Sequence, residues 1–212
     1  MSAPRFTPAF RAQLQSLFAW RRDVRAFRPD PLPDGLLEEL IATACLAPSV
    51  GLSQPWRFVE VTDAARRAEI RANFEACNAA ALAAQPADRA GIYARLKLSG
   101  LDQAPCHLAV FADGATAQGH GLGRRTMPEA IAYSAVLAIH TLWLAARAEG
   151  VGVGWVSILD PESLTKVLDI PSRWHFIGYL CIGYPAADQD TPTLETDGWE
   201  YRRQPERFLL RR

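Results

Sequence analysis

Residues 130–159, AIAYSAVLAIHTLWLAARAEGVGVGWVSIL, decide the fold class of this chain. The first seventeen carry no charge, which predicts a long apolar helix that ends at Gly150, where glycine commonly follows a helix. The segment is short for a membrane span and includes polar residues, so we interpret it as a buried helix of the core. A helix without a polar face is either fully enclosed or partly covered by another subunit, and dimerisation is a natural way to cover it.

On both sides of this helix, apolar runs alternate with turn signals. Strands are predicted at Trp56–Val61, His107–Ala112, Val151–Leu159 and His175–Gly183. Helices are predicted at Pro8–Trp20 behind the Thr7 N-cap, at Asp34–Ala47, Ala64–Ala84, Asp88–Leu98 and Pro161–Leu168. With few hairpin signals and no long linker, this pattern favours an α+β or α/β sandwich in a single domain, residues 1–212, with a tail from about residue 186.

The composition excludes several classes of protein. Lys plus Arg and Asp plus Glu both number 23, so no global field recruits nucleic acid or an anionic membrane. The four cysteines are widely spaced, and neither they nor the four histidines form a cluster at ligand spacing, so no metal site is expected. Apolar surroundings favour free thiols in a reducing compartment, and with no secretion signal seen, the expected location is the cytoplasm.

Three arginines, Arg21, Arg22 and Arg25, fall within five residues at the end of the first predicted helix. They are either a solvated cluster that complements the helix dipole or a clamp for phosphate oxygens. Asp23 between them is either a surface ion pair or a carboxylate held beside a ligand, ionised and able to accept a proton.

Other loops offer ligand-binding groups. Ser49–Trp56 is an ordinary connection or the rim of a planar polar ligand, through Ser49, Gly51 and their neighbours. Ser157 ends the glycine-rich strand as a satisfied polar residue or a donor to a ligand, and glycines in that strand indicate close approach of a backbone or ligand. The glycine- and arginine-rich loop at about 114–127 is a plain surface loop or a lid.

Together, the run at Arg21–Arg25, Ala47–Trp56, Gly119–Pro128 and Gly152–Leu159 resemble the nitroreductase-like flavoproteins over about Trp20 to Pro185. Asp23, where simple nitroreductases usually have serine, narrows the resemblance to members that destroy FMN. The resemblance implies a mostly antiparallel sheet flanked by helices, in an intertwined homodimer with FMN at the interface. It implies that O2 and reduced FMN, supplied by a separate flavin reductase, yield 5,6-dimethylbenzimidazole and erythrose 4-phosphate.

The resemblance also implies roles for single residues. Arg21, Arg22 and Arg25 hold the phosphate, ribityl chain and pyrimidine edge of FMN, with a further phosphate contact from Arg202 or Arg203. Ser49, Gly51, Leu52 and Leu98 border the flavin. Asp23 and Ser157 are the expected catalytic residues: Asp23 shuttles protons and Ser157 hydrogen-bonds the flavin.

Two alternatives stay open at this point. One is an NAD(P)H-dependent nitroreductase that recycles FMN, in which a nicotinamide must stack on the flavin. The other is a flavin-binding protein without catalysis, in which Asp23 is structural.

Overall fold

A computed structural model describes residues 3–212 and shows one antiparallel sheet between two apolar layers. Its strands are β1 (Trp56–Glu60), β2 (Cys106–Asp113), β3 (Gly152–Val156) and β4 (Trp174–Gly183), in the spatial order β1-β2-β4-β3. Both central strands are paired on each side, and β2 is buried along its whole length. This α+β sheet with helices against it is the predicted fold class.

Seven helices surround the sheet in the described chain. They are α1 (Pro8–Trp20), α2 (Leu36–Ala44), α3 (Ala64–Ala83), α4 (Ala87–Tyr93), α5 (Ala130–Ala148), α6 (Pro161–Val167) and α7 (Thr193–Thr196). Single 3-10 turns lie at Val50–Leu52 and Pro205–Phe208. Thr7 caps α1 through its hydroxyl, 3.1 Å from the Phe10 amide, as the Thr-Pro pair predicts.

The long apolar helix α5 is central, as predicted, and packs with α2 on one face of the sheet. Among the described residues it is the one helix that is long and apolar enough to cross a membrane. Eight of its residues are buried, including Ile139 and Leu142, but its other face leaves Tyr133 and Leu137 exposed. A single chain therefore buries α5 along one side only. Of the two arrangements expected from the sequence, this agrees with the one in which another subunit covers the rest of the helix.

Four predicted boundaries differ from the structure by two residues or more, and the others agree to within one residue. The second helix ends at Ala44 rather than Ala47, and it begins at Leu36 because Gly35 has φ +83°, outside helical geometry. Helix α4 ends at Tyr93 rather than Leu98. Strand β3 ends at Val156 rather than Leu159, because β4 pairs with β3 only from Tyr179 onward. Just before Tyr179, Ile177 bulges out of the β2–β4 ladder.

The glycines of β3 let another segment of backbone approach, as the sequence suggested. Asp23 forms a parallel bridge with Val153, and the Val24 amide donates to the Val153 carbonyl at 3.0 Å. A Cβ atom at Gly154 would lie 2.0 Å from the Val24 carbonyl oxygen, so no larger residue fits beside this segment. The fold thereby places the arginine run against the edge of the sheet.

Candidate functional site

The Arg21–Arg25 segment leaves α1 at its C-cap, Arg21, and runs along the outer edge of β3. Helix α5 supports it through Trp143, whose indole Nε1 donates to the Arg22 carbonyl at 3.1 Å. The guanidinium of Arg21 lies 5.0 Å from the centre of the same indole ring, at cation–π distance. These contacts hold the backbone of the run, so its side chains project from a fixed support.

The Asp23 carboxylate is held by hydrogen bonds at both oxygens. Oδ1 accepts from the Trp155 amide of β3 at 2.8 Å, and Oδ2 accepts from Arg25 Nε at 2.9 Å and from Arg25 Nη2. The Asp23 side chain is 30% exposed and lines two adjoining cavities of about 150 and 220 Å³. It is a fixed carboxylate with access to a site where a ligand can lie.

Arg25 is engaged by other residues of its own chain. Its guanidinium pairs with Asp23, and its remaining nitrogen, Nη1, reaches the Lys97 carbonyl at 3.4 Å. Most of its donors are therefore committed within the chain. Arg25 orients Asp23. Arg22 also donates within the chain, from Nη1 to the Arg21 carbonyl and from Nε and Nη2 to the Asp190 carbonyl, so Arg21 is the arginine of the run whose guanidinium makes no hydrogen bond to the described residues.

Arg21, Arg22 and Arg202 converge on the 220 Å³ cavity. Burial lowers the pKa of Arg21, the nearby Arg202 lowers it further, and Asp23 opposes both effects. Burial, Arg202 and Arg21 likewise lower the pKa of Arg22. Within residues 3–212 none of these three guanidiniums forms a salt bridge, although Asp190 and Glu195 raise the pKa of Arg22 and so partly offset its positive neighbours. The three arginines still concentrate positive charge at the cavity, which suits a phosphate.

The C-terminal tail supplies the other wall of that cavity. Pro192, Thr193 and Leu194 line it beside Arg202, and Arg22 Nε donates to the Asp190 carbonyl at 3.0 Å. Tail residues other than the arginines were not expected at the site. Their sequence has no local motif, and only the path of the chain brings them to Arg22.

Leu98 and Ser157 lie at the margin of the site. Leu98 is partly buried and directly follows Lys97, whose carbonyl accepts from Arg25. Ser157 is exposed just beyond β3, two residues after the Trp155 amide that binds Asp23. Neither residue lines the two cavities beside Asp23.

Ser49, Gly51 and Leu52 lie elsewhere, next to β1 at the other side of the sheet. Four interstrand spacings separate Asp23 from β1, about 19 Å. Across the sheet, Val153 is aligned through β4 with Cys106 of β2, whereas Trp56 pairs with Ala112 of β2. The length of β2 between Cys106 and Ala112 therefore offsets the two corners along the strands by about 20 Å. One chain does not bring both groups to a single flavin.

The loop at residues 114–127 packs on this second group. Gln118 Nε2 donates to the Leu52 carbonyl at 2.8 Å, and a Cβ atom at Gly51 would lie 3.0 Å from Leu122. Arg124 Nη1 donates to the Thr116 carbonyl at 2.8 Å within the same loop. The loop therefore covers the Ser49–Leu52 corner rather than the Asp23 corner of its own chain.

A second set of buried polar groups lies under the opposite face of the sheet. His107 Nδ1 and the Tyr179 hydroxyl are 2.9 Å apart, and both residues are almost fully buried. Burial lowers the pKa of His107 to about 4 and raises that of Tyr179. Burial also raises the pKa values of the Cys106 and Cys181 thiols to about 12, so neither is a reactive thiolate. The described part of the chain contains no cluster of three metal-ligating side chains.

The antiparallel sheet with the central apolar helix α5 packed against it is a nitroreductase-type fold. A sequence profile described as the nitroreductase family matches residues 18–184, and the chain belongs to this family. It is 59% identical to the 5,6-dimethylbenzimidazole synthase of Rhodospirillum rubrum over 95% of this chain and 96% of that protein. It is 49% identical to the enzyme of the same name from Rhodobacter capsulatus, over 92% and 94% of the two chains.

A solved structure supports the fold independently. Iodotyrosine deiodinase, crystallised with FMN and 3-iodo-L-tyrosine, superposes with a TM-score of 0.71 and 24% identity. The match covers 94% of this chain and 97% of that one.

Proposed function

We propose that this chain is a 5,6-dimethylbenzimidazole synthase: it consumes reduced FMN and O2 and releases the benzimidazole and erythrose 4-phosphate as fragments. Near-complete coverage at 59% and 49% identity to enzymes of that name supports this. The observation that carries the chemistry is the Asp23 carboxylate, fixed by Trp155 and Arg25 beside the arginine cavity. A reductase or storage site does not need a carboxylate there.

The residues around Asp23 fit FMN. Arg202 lowers the pKa of both Arg21 and Arg22, and a phosphate dianion between the three guanidiniums relieves this repulsion. In this arrangement the phosphate lies in the 220 Å³ cavity and the ribityl chain extends toward Asp23. Leu98 borders the flavin, and the exposed Ser157 hydroxyl donates to its ring.

The flavin site is completed by a second copy of the chain. Ser49, Gly51 and Leu52 are too far from Asp23 in one chain, so a homodimer supplies them from the partner. The exposed apolar side chains of α1 and α5, among them Phe10, Phe18, Tyr133 and Leu137, support such an interface. α1 has no buried residue in the single chain, although its sequence is amphipathic, which fits a helix that packs on a partner.

Bound reduced FMN supplies both the electrons for O2 and the carbon atoms of the product. The chain's own part is to bind, orient and move protons. Asp23 accepts a proton from the ribityl chain at Oδ1, which has a lone pair left beside its bond to the Trp155 amide, while the two bonds from Arg25 to Oδ2 hold the carboxylate in place. Arg25 keeps the carboxylate oriented. The loop at 114–127 is joined to Leu52 through Gln118, so the second copy of the chain supplies it together with Leu52, and it keeps water from the ring.

Reduced FMN is a substrate in this proposal, so a separate flavin reductase must supply it in the cytoplasm. The test is aerobic incubation with excess reduced FMN, followed by mass analysis for 5,6-dimethylbenzimidazole and by measurement of the remaining flavin. We expect one flavin to be lost for each benzimidazole formed. Ser157→Gly should lower the yield while the protein remains folded.

Two results would contradict the proposal. Turnover of a nitroaromatic with NAD(P)H while FMN stays intact would assign the chain to the reductases. Consumption of O2 by the reduced complex without loss of flavin would leave a binding protein without this chemistry.

A further inference from the structure

The tail residue Arg202 needs an anchor to serve as a phosphate ligand. It lies in a stretch in which every residue from Tyr201 to Arg212 is exposed. Its backbone amide donates to Glu195 Oε1 at 2.9 Å, but Glu195 belongs to the same tail. Contacts within the tail do not determine where the tail lies on the rest of the chain.

That anchor is Trp199, three residues before Arg202. The Arg89 guanidinium of α4 donates through Nη1 to the Trp199 carbonyl at 2.7 Å and lies 5.3 Å from the indole ring centre. Tyr93 meets the same ring edge-on, with centroids 5.9 Å apart. A cation over the ring and an aromatic edge both fix the position of the indole.

The support beneath Trp199 is rigid. Tyr93 is 8% exposed, and its hydroxyl donates to Asn78 Oδ1 of α3 at 2.8 Å. Four residues after Tyr93, the Lys97 carbonyl accepts from Arg25, the partner of Asp23. The segment that holds the tail thus also contacts the residues around Asp23.

We propose that Trp199, held by Arg89 and Tyr93, is a positioning residue that places Arg202 on the flavin phosphate. The inference rests on the proposed function, because it takes FMN as the ligand of the arginine cavity. It predicts that Trp199 acts only on ligands that carry the phosphate. Riboflavin has the same ring and ribityl chain without that group, so it separates this role from a general effect on the site.

The experiment measures dissociation constants for oxidised FMN and for riboflavin by quenching of flavin fluorescence. We compare the unmodified protein, Trp199→Ala, Arg202→Ala and the double variant. A lost charge-assisted contact weakens FMN binding about tenfold or more. We expect that loss in both single variants, no further loss in the double variant, and unchanged riboflavin binding throughout.

Two further variants serve as controls. Trp199→Phe keeps an aromatic ring against Tyr93 and should retain most of the FMN affinity. Tyr201→Ala removes an exposed aromatic ring from the same tail and should change neither dissociation constant. If Trp199→Ala does not fold, as judged by circular dichroism, Arg89→Met removes the same contact from the side of α4.

The inference is overturned if Trp199→Ala weakens the binding of riboflavin as much as that of FMN. It is also overturned if the double variant loses FMN affinity by the product of the two single-variant factors. If Arg202→Ala weakens FMN and Trp199→Ala does not, only this inference fails. If Arg202→Ala has no effect, the placement of the phosphate fails as well, and the inference fails with it.

Discussion

Gly154→Ala tests whether the close approach of two backbones sets the position of Asp23. A Cβ atom at residue 154 would lie 2.0 Å from the Val24 carbonyl oxygen, and real contacts of this kind are not shorter than 3.0 Å. The Asp23–Val24 segment must therefore move outward by about 1 Å. The obstructing atom belongs to the backbone, so a change of rotamer cannot relieve the clash.

The displacement breaks or weakens two hydrogen bonds, from the Val24 amide to the Val153 carbonyl and from the Trp155 amide to Asp23. One is neutral and one is charge-assisted, so together they contribute about 2–4 kcal/mol. We expect the free energy of unfolding to fall by an amount in that range. A catalytic group displaced by about 1 Å costs about 100-fold in rate, so formation of the benzimidazole should fall by a similar factor.

The assay combines urea denaturation with single-turnover measurement of benzimidazole from reduced FMN. Gly91→Ala is a matched control, because Gly91 lies within α4 and nothing stands within 4 Å of its added Cβ atom. That control should be slightly more stable, by about 0.5–1 kcal/mol, with unchanged turnover. Full yield from folded Gly154→Ala would refute the claim that this contact positions Asp23 for catalysis.

Three more predictions concern other parts of the molecule. Asp23→Asn keeps an acceptor for the Trp155 amide but takes no proton, so product formation should drop about 100-fold or more while FMN still binds, as single-turnover assays and fluorescence titration would show. Leu137→Glu places a charge on the exposed face of α5 and should give a monomer with weak FMN binding; a monomer in sedimentation that binds FMN normally would exclude the composite site. The pKa of His107 in the folded protein, about 4, lies below its ordinary value of 6.5, so the unfolded chain binds the extra proton and stability falls as the pH drops from 6.5 to 4. The loss is about 3 kcal/mol, measured as the difference in pH dependence of urea unfolding between the unmodified protein and the double variant His107→Leu/Tyr179→Phe.

The sequence alone determined the class of fold and the chemistry available at the site. The charge-free run of α5 has no polar face, so it predicts a central helix from residues 130 onward. The strands were predicted to within a few residues, because β-branched and apolar runs between turn residues have few other arrangements. The resemblance of four motifs led to the nitroreductase family, and the family profile and the close relatives confirm that membership.

Only the tertiary structure decided how these residues are distributed. In the sequence, Arg21, Arg22 and Arg25 cannot be told apart by residue type. In the structure Arg25 pairs with Asp23, because the bridge from Asp23 to Val153 fixes the backbone of this segment. Arg202 and Trp199 have no motif, and their contacts with the arginine cavity and α4 join residues more than a hundred positions apart. The sequence groups Ser49 and Asp23 in one site, but the strand order sets them at opposite corners of the sheet, since each strand adds a fixed spacing that no local pattern encodes.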